Sequence, residues 1–235
     1  NAQPIYDYIF ISHEHFDHCH PKTLRKLCTG DRFKRLFVSP GCLTPDEPID
    51  EAYGDAAFSR DLPIDKHVPR DKIQVAYPKY VSDNGLRFPG PSEFDLGPIR
   101  VEVFESGEKN RPDLPTCGYL VTHEDKGVSL YHTGDLPDPL PSLAHLKGKV
   151  DFLIHMKAGL KDSYTFTEKD PEDLARLLDY IEPSFLIPVH YRTDRESEPV
   201  PTGHWPPNVT DANAYIEYIR EKSAGKTTVL PFTAG

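Results

Sequence analysis

The feature that most restricts how this chain can fold is an apolar strand that runs straight into a knot of histidines. "YDYIFISH" (Tyr6–His13) is short and almost wholly apolar, the mark of a buried strand. His13, His15, His18 and His20 follow one another there, interrupted by Glu14 and Asp17, and they are four of the chain's eleven histidines. Alternation along an extended segment puts His13 and His15 on one side. Next comes "PKTLRKLC" (Pro21–Cys28), a predicted helix with proline at its start, Leu24 and Leu27 in step, and Gly30 to stop it. "RLFVSP" (Arg35–Pro40) reads as a second strand, and the strand–helix–strand spacing predicts a parallel pair.

Further along, residues 43–70 are acidic and proline-rich and read as a loop with a short helix at 50–58. Strand signals then multiply at 72–77, 92–97 and 99–106. "GYLVTHEDKGVSLYHTGD" (118–135) reads as a hairpin turning at Asp125, Lys126 and Gly127. "VDFLIHM" (150–156) and "SFLIPVHY" (184–191) are buried strands, and "TTVLPF" closes the chain. The clearest helix is "DPEDLARLLDYIEP" (170–183), capped by Asp170, opened by Pro171 and striped with Leu174, Leu177, Leu178 and Ile181. A second helix is expected at 211–222. Strands in series with flanking helices predict an α+β layered sheet in a single domain, 1–235.

Composition excludes several classes of function. The formal net charge is −10, against the basic face that nucleic-acid binding needs. No stretch approaches the roughly 20 apolar residues of a membrane span. Cys19, Cys28, Cys42 and Cys117 form no CxxC pair, which points to free thiols in a reducing, cytoplasmic compartment. Cys19 lies inside the histidine cluster, as a ligand or as a small buried neighbour. The 24 prolines are spread along the chain without a PxxP repeat and imply many ordered loops. The chain opens on Asn1 and reaches its densest chemistry by His13, so an upstream segment is expected.

The pattern His-x-His-x-Asp-His offers two pairs of ligands, enough for two metal ions a few ångströms apart. Imidazole combined with carboxylate suits Zn, Mn or Fe. With this motif the chain resembles the metallo-β-lactamase superfamily. "LYHTGD" (Leu130–Asp135) resembles the family segment that supplies a metal-bridging Asp, here Asp135. "LIPVHY" (Leu186–Tyr191) resembles the one that supplies the last His, His190. The family's remaining His is missing, because none occurs between His67 and His123. "ESGEKN" stands there instead, with Glu105 and Glu108, and of these Glu108 is the better candidate. In this respect the chain looks closest to the ascorbate-6-phosphate lactonase branch.

The resemblance implies a four-layer αββα sandwich lacking its N-terminal strands in this chain. It implies His13, His15 and Glu108 around one divalent ion, Asp17, His18 and His190 around the other, and Asp135 between them. Three carboxylates with four imidazoles favour Mn or Fe over a zinc pair, with Zn still open. The expected activity is hydrolysis of a lactone, ester-like or phosphodiester bond in a small anionic substrate, with Asp17, Asp135 and His190 at the reacting centre. Di-iron oxygenases of the same superfamily, with a Glu in place of the missing His, give the alternative. A domain with a degenerate, purely structural metal site is the third reading, and the intact motif stands against it. His132 and His155 lie on apolar strands and read as buried supporting imidazoles, and His20 as a helix start or a neighbour of the ligands. Lys157, Lys161 and Tyr164 follow a strand on the side of the site. The long loop "HYRTDRESEPVPTGHWPPN" (190–208) carries Arg192, Arg195, His204 and Trp205, candidates for a lid over an anionic substrate.

Overall fold

The computed structural model describes residues 6–15, 18–30, 33–43, 63–79, 88, 90–106, 115–136, 139–156, 171–189 and 212–230. The element order is β1 (Tyr8–Ile11), α1 (Pro21–Leu27), β2 (Arg35–Val38), β3 (Ile73–Val75), β4 (Glu93–Asp95), β5 (Ile99–Glu105) and β6 (Cys117–His123). It continues with β7 (Val128–His132), β8 (Phe152–Met156), α2 (Pro171–Ile181), β9 (Phe185–Val189), α3 (Ala212–Lys222) and β10 (Thr228–Val229). Each strand and helix expected from periodicity is present, usually trimmed at its ends. The helix expected at 50–58 and the Asp170 cap lie outside the described residues. A three-stranded sheet has the order β1-β2-β3, and a seven-stranded sheet has the order β10-β9-β8-β7-β6-β5-β4. The chain divides into two compact units, residues 1–94 with 101–119, and 95–100 with 120–235.

In the first unit β1, β2 and β3 pair in parallel, with Ile11 level with Val38 and Val38 level with Val75. Two-residue alternation sorts their side chains. Ile9, Ile11, Leu36 and Val38 join Leu24 and Cys28 of the α1 segment in one apolar cluster. The opposite face is aromatic: Phe37 stacks on Phe10 at 4.9 Å and meets Phe94 at 4.9 Å, while Phe10 packs against Tyr119 at 5.3 Å. Both faces of the sheet are therefore covered by apolar side chains, fully at Leu36, Phe37 and Val38 of β2 and partly along β1, which explains their nearly continuous apolar sequences.

In the second unit β7, β8, β9 and β10 pair in parallel. Ser129 and Asp151 lock the start of β7 to β8: the Ser129 amide donates to Asp151 Oδ2 at 2.8 Å, and the Asp151 amide donates to Ser129 Oγ at 2.9 Å. The α2 stripe Leu174, Leu177, Leu178 and Ile181 is buried, as are Tyr131, Leu153 and Leu186 of the strands. Pro188 sits inside β9, where a missing donor should interrupt a sheet. The neighbouring ladder accounts for it. Leu230 donates to the Leu186 carbonyl at 2.8 Å, so alternation turns the Pro188 nitrogen toward the same neighbour, β10, which has already ended at Val229. Among the described residues no helix is long and apolar enough to cross a membrane.

Candidate metal centre

In the first unit a cluster of imidazoles stands at the end of β1. The β1–β2 register sets the residues after Ile11 beside those after Val38. Two further bonds pin the turn: the Tyr119 hydroxyl donates to the Ile11 carbonyl at 3.0 Å, and the Cys117 amide donates to the Ser12 carbonyl at 2.8 Å. Beyond it the amides of His18 and Cys19 both donate to the His15 carbonyl, at 3.0 and 2.7 Å, and this tight turn folds His18 back over His13. The result is a trio of imidazoles, with ring centroids 4.4 Å apart for His13 and His15 and 4.1 Å apart for His13 and His18. His13 is 2% exposed and Ser12 is 5% exposed. The Ser12 hydroxyl lies 3.0 Å from His13 Nδ1 and 3.2 Å from His18 Nδ1.

Around the trio the neighbours are packing groups. Glu14 is buried against the short 3-10 turn Pro40–Cys42, where a Cβ at Gly41 would collide with the Glu14 carboxylate. All four cysteines are buried and free. Burial pushes the Cys42 thiol well above the usual thiol range, with Cys19 and Glu14 acting in the same direction and the Ser39 hydroxyl opposing. Burial likewise pushes Cys28 up to about 11, which Lys72 partly offsets. Cys28 and Cys42 pack in the apolar core rather than in the imidazole cluster. His20 is the N-cap of α1, its Nδ1 accepting from the Thr23 amide at 3.3 Å. Sequence reading missed Ser12 and Tyr119. Adjacency to His13 was the only signal for Ser12, and Tyr119 had none beyond being an aromatic on a strand.

The second unit presents the ends of its parallel strands. β7 delivers His132, Gly134 takes the left-handed conformation with φ 61°, and Asp135 follows, half-buried. The Gly134 amide donates to His132 Nδ1 at 2.9 Å, which places the proton of a neutral ring on Nε2. Thr133 Oγ1 lies 2.8 Å from His155 Nδ1. Burial pushes His155 down to about 3; Asp135 opposes that shift and His132 adds to it. His155 is thus a neutral core imidazole close enough to Asp135 to feel its charge, as expected for a supporting residue. β9 ends at Val189, level with Met156 of β8, one residue before His190.

The structure therefore brings His13, His15 and His18 together and sets Asp135 at a strand end beside His132 and His155. Glu105, the weaker of the two glutamate candidates, is the last residue of β5 and is half-buried. Asp17, Glu108 and His190 lie outside the described residues, as do Lys157, Lys161, Tyr164, Arg192, Arg195, His204 and Trp205. Three clustered imidazoles with Nδ1 hydrogen bonds on two of them fit a divalent transition metal better than a structural role.

Comparison with known proteins gives a consistent result. A family model described as a β-lactamase superfamily domain matches residues 1–190. A UPF0173 metal-dependent hydrolase of Thermococcus onnurineus is 25% identical over 138 residues, 57% of this chain and 53% of the relative. The chain thus spans about half the length of that curated relative. Igni18, a metallo hydrolase from Ignicoccus hospitalis, superposes with a TM-score of 0.58 at 17% identity, covering 97% of this chain and 77% of Igni18. CmlA, a diiron β-hydroxylase from Streptomyces venezuelae, superposes with a TM-score of 0.54 at 13% identity, covering 98% of this chain and 44% of CmlA.

Proposed function

Because the chain belongs to the β-lactamase superfamily, we propose that it is a metal-dependent hydrolase whose centre includes the imidazole trio at the end of β1. Its fold is the α+β metallo-β-lactamase fold. The observation that carries the reading is the packing of His13, His15 and His18 into one cluster, with His13 buried, the other two half-buried, and Ser12 on two of the rings. The metal-dependent hydrolase of Thermococcus onnurineus supports it at the level of activity class.

In this reading His13, His15 and Glu108 would hold one divalent ion and Asp17, His18 and His190 the other, with Asp135 as a further carboxylate ligand. When bound, two such ions supply a nucleophilic hydroxide near neutral pH and polarise the bond to be cleaved. The chain's own groups do the rest. Asp17 orients the attacking water and takes up its proton. Buried His155 stays neutral and stiffens the strand end beside Asp135. Lys157, Arg192, His204 and Trp205 bind the anionic part of a small substrate. A lactone, an ester-like bond or a phosphodiester is the bond class, with the ascorbate-6-phosphate lactonase branch as the closest analogue.

Elemental analysis of the purified protein, followed by assay on bis-p-nitrophenyl phosphate and a panel of sugar-phosphate lactones, tests the proposal. Mn or Zn near two ions per chain, with hydrolysis lost in His13→Ala, is the expected result. One sequence observation favours a second reading: no His occurs between His67 and His123, and Glu105 and Glu108 stand at the end of β5 and just after it, like the Glu that replaces a His in the superfamily's di-iron oxygenases. Iron content, an oxo-bridged absorption band and oxygen consumption without hydrolysis would replace the hydrolase with that oxygenase.

A further inference from the structure

One oxygen atom, Ser12 Oγ, lies within hydrogen-bond distance of two rings at once, 3.0 Å from His13 Nδ1 and 3.2 Å from His18 Nδ1. A hydroxyl has two acceptor lone pairs and a single proton. It can donate to one of these nitrogens at most, so when both bonds form, at least one ring carries its proton on Nδ1. An imidazole that gives Nε2 to a metal must carry that proton on Nδ1. We propose that Ser12 is a positioning residue for the metal centre: its oxygen accepts Nδ1–H from both His13 and His18 and so presents both Nε2 lone pairs together.

Burial makes the arrangement effective. Ser12 and His13 are nearly inaccessible, which limits competition from water at the shared oxygen, while His18 is half-buried. Hydrogen bonds from β6 hold the backbone on both sides of the Ser12 side chain, through Ile11 and Ser12 carbonyls, which fixes where the hydroxyl stands. His132 shows the opposite case within the same chain. There a backbone amide donates into Nδ1, the proton is forced to Nε2, and the ring is unsuited to ligate through that atom. Sharing one acceptor also couples the two rings, because a shift of Ser12 disturbs both.

The inference rests on His13 and His18 being ligands, and its test separates the two claims. Histidine-selective 15N NMR of metal-free protein at alkaline pH, assigned with His13→Asn and His18→Asn, reads the ring tautomers directly. In the wild type at least one of the two rings should be in the Nδ1–H form, and zinc should bring both to it. Ser12→Ala should shift the metal-free rings toward Nε2–H and weaken zinc binding about 10- to 100-fold in competition with a chromophoric chelator. Ser12→Thr, which keeps the hydroxyl, should restore both readouts. Identical tautomers in wild type and Ser12→Ala overturn the role of Ser12, whether or not zinc binds. Equal zinc affinity in the two proteins overturns it as well. Tautomers as expected, in a wild type that binds no zinc, overturn the metal reading and leave the Ser12 hydrogen bonds standing.

Discussion

At the scale of single residues, the site depends on groups that carry no metal-binding signature. Tyr119 is buried, and burial raises its phenol well above the usual range, so it remains a hydrogen-bond donor. Its hydroxyl is spent on the Ile11 carbonyl, two residues before His13. Tyr119→Phe keeps the ring against Phe10 and deletes that bond together with the hydroxyl's contact with the Cys117 thiol, so urea unfolding of the metal-free protein should show a loss of about 1–2 kcal/mol. An unchanged midpoint would mean that the carbonyl finds another donor. The clustering of the imidazoles at the end of β1 was legible, because the histidines are spaced closely just after an apolar strand. Ser12 and Tyr119 were not, because serine and tyrosine occur everywhere and only their three-dimensional neighbours give them a role.

At the scale of elements, periodicity predicted nearly all of the strands and helices, and the reason is visible in β2. A strand buried on both faces, as at Leu36–Val38, reads as unbroken apolar sequence, and one with alternating surroundings, such as β5, reads as alternation. Strand ends were less legible, since they depend on hydrogen bonds to distant residues. The Ser129–Asp151 pair is an example: it sets the start of β7 against β8, and neither residue has a local pattern to betray it. Asp151→Ala removes the acceptor of the buried Ser129 amide and should cost about 1–3 kcal/mol. Hydrogen exchange should place the loss in β7 and β8, with β1 and β2 unaffected; uniform loss would contradict the local role. Pro188 illustrates the same limit. Its place in β9 is explained only by where β10 stops, forty residues of sequence later by order of magnitude.

For the molecule as a whole, the net charge of −10 names no partner. Family membership follows from the matched span 1–190, and the motif order along the chain already pointed there. If the centre binds metal only when folded, occupancy must add to stability. Zinc or manganese at about 100 times its dissociation constant should contribute ~2.7 kcal/mol, or roughly 5–10 °C in Tm for a chain of this size. Differential scanning fluorimetry with and without a chelator measures this, and identical melting curves would count against a metal centre.

Glu14 and Gly41 carry a consequence for descent. The Glu14 carboxylate, between His13 and His15, occupies the space that a Cβ at position 41 would need. The two positions are coupled: a methyl group at 41 requires the Glu14 carboxylate to swing aside or the residue at 14 to shorten. Relatives of this chain should therefore change the two together, and a family alignment should show them as a correlated pair even though a whole helix and strand separate them.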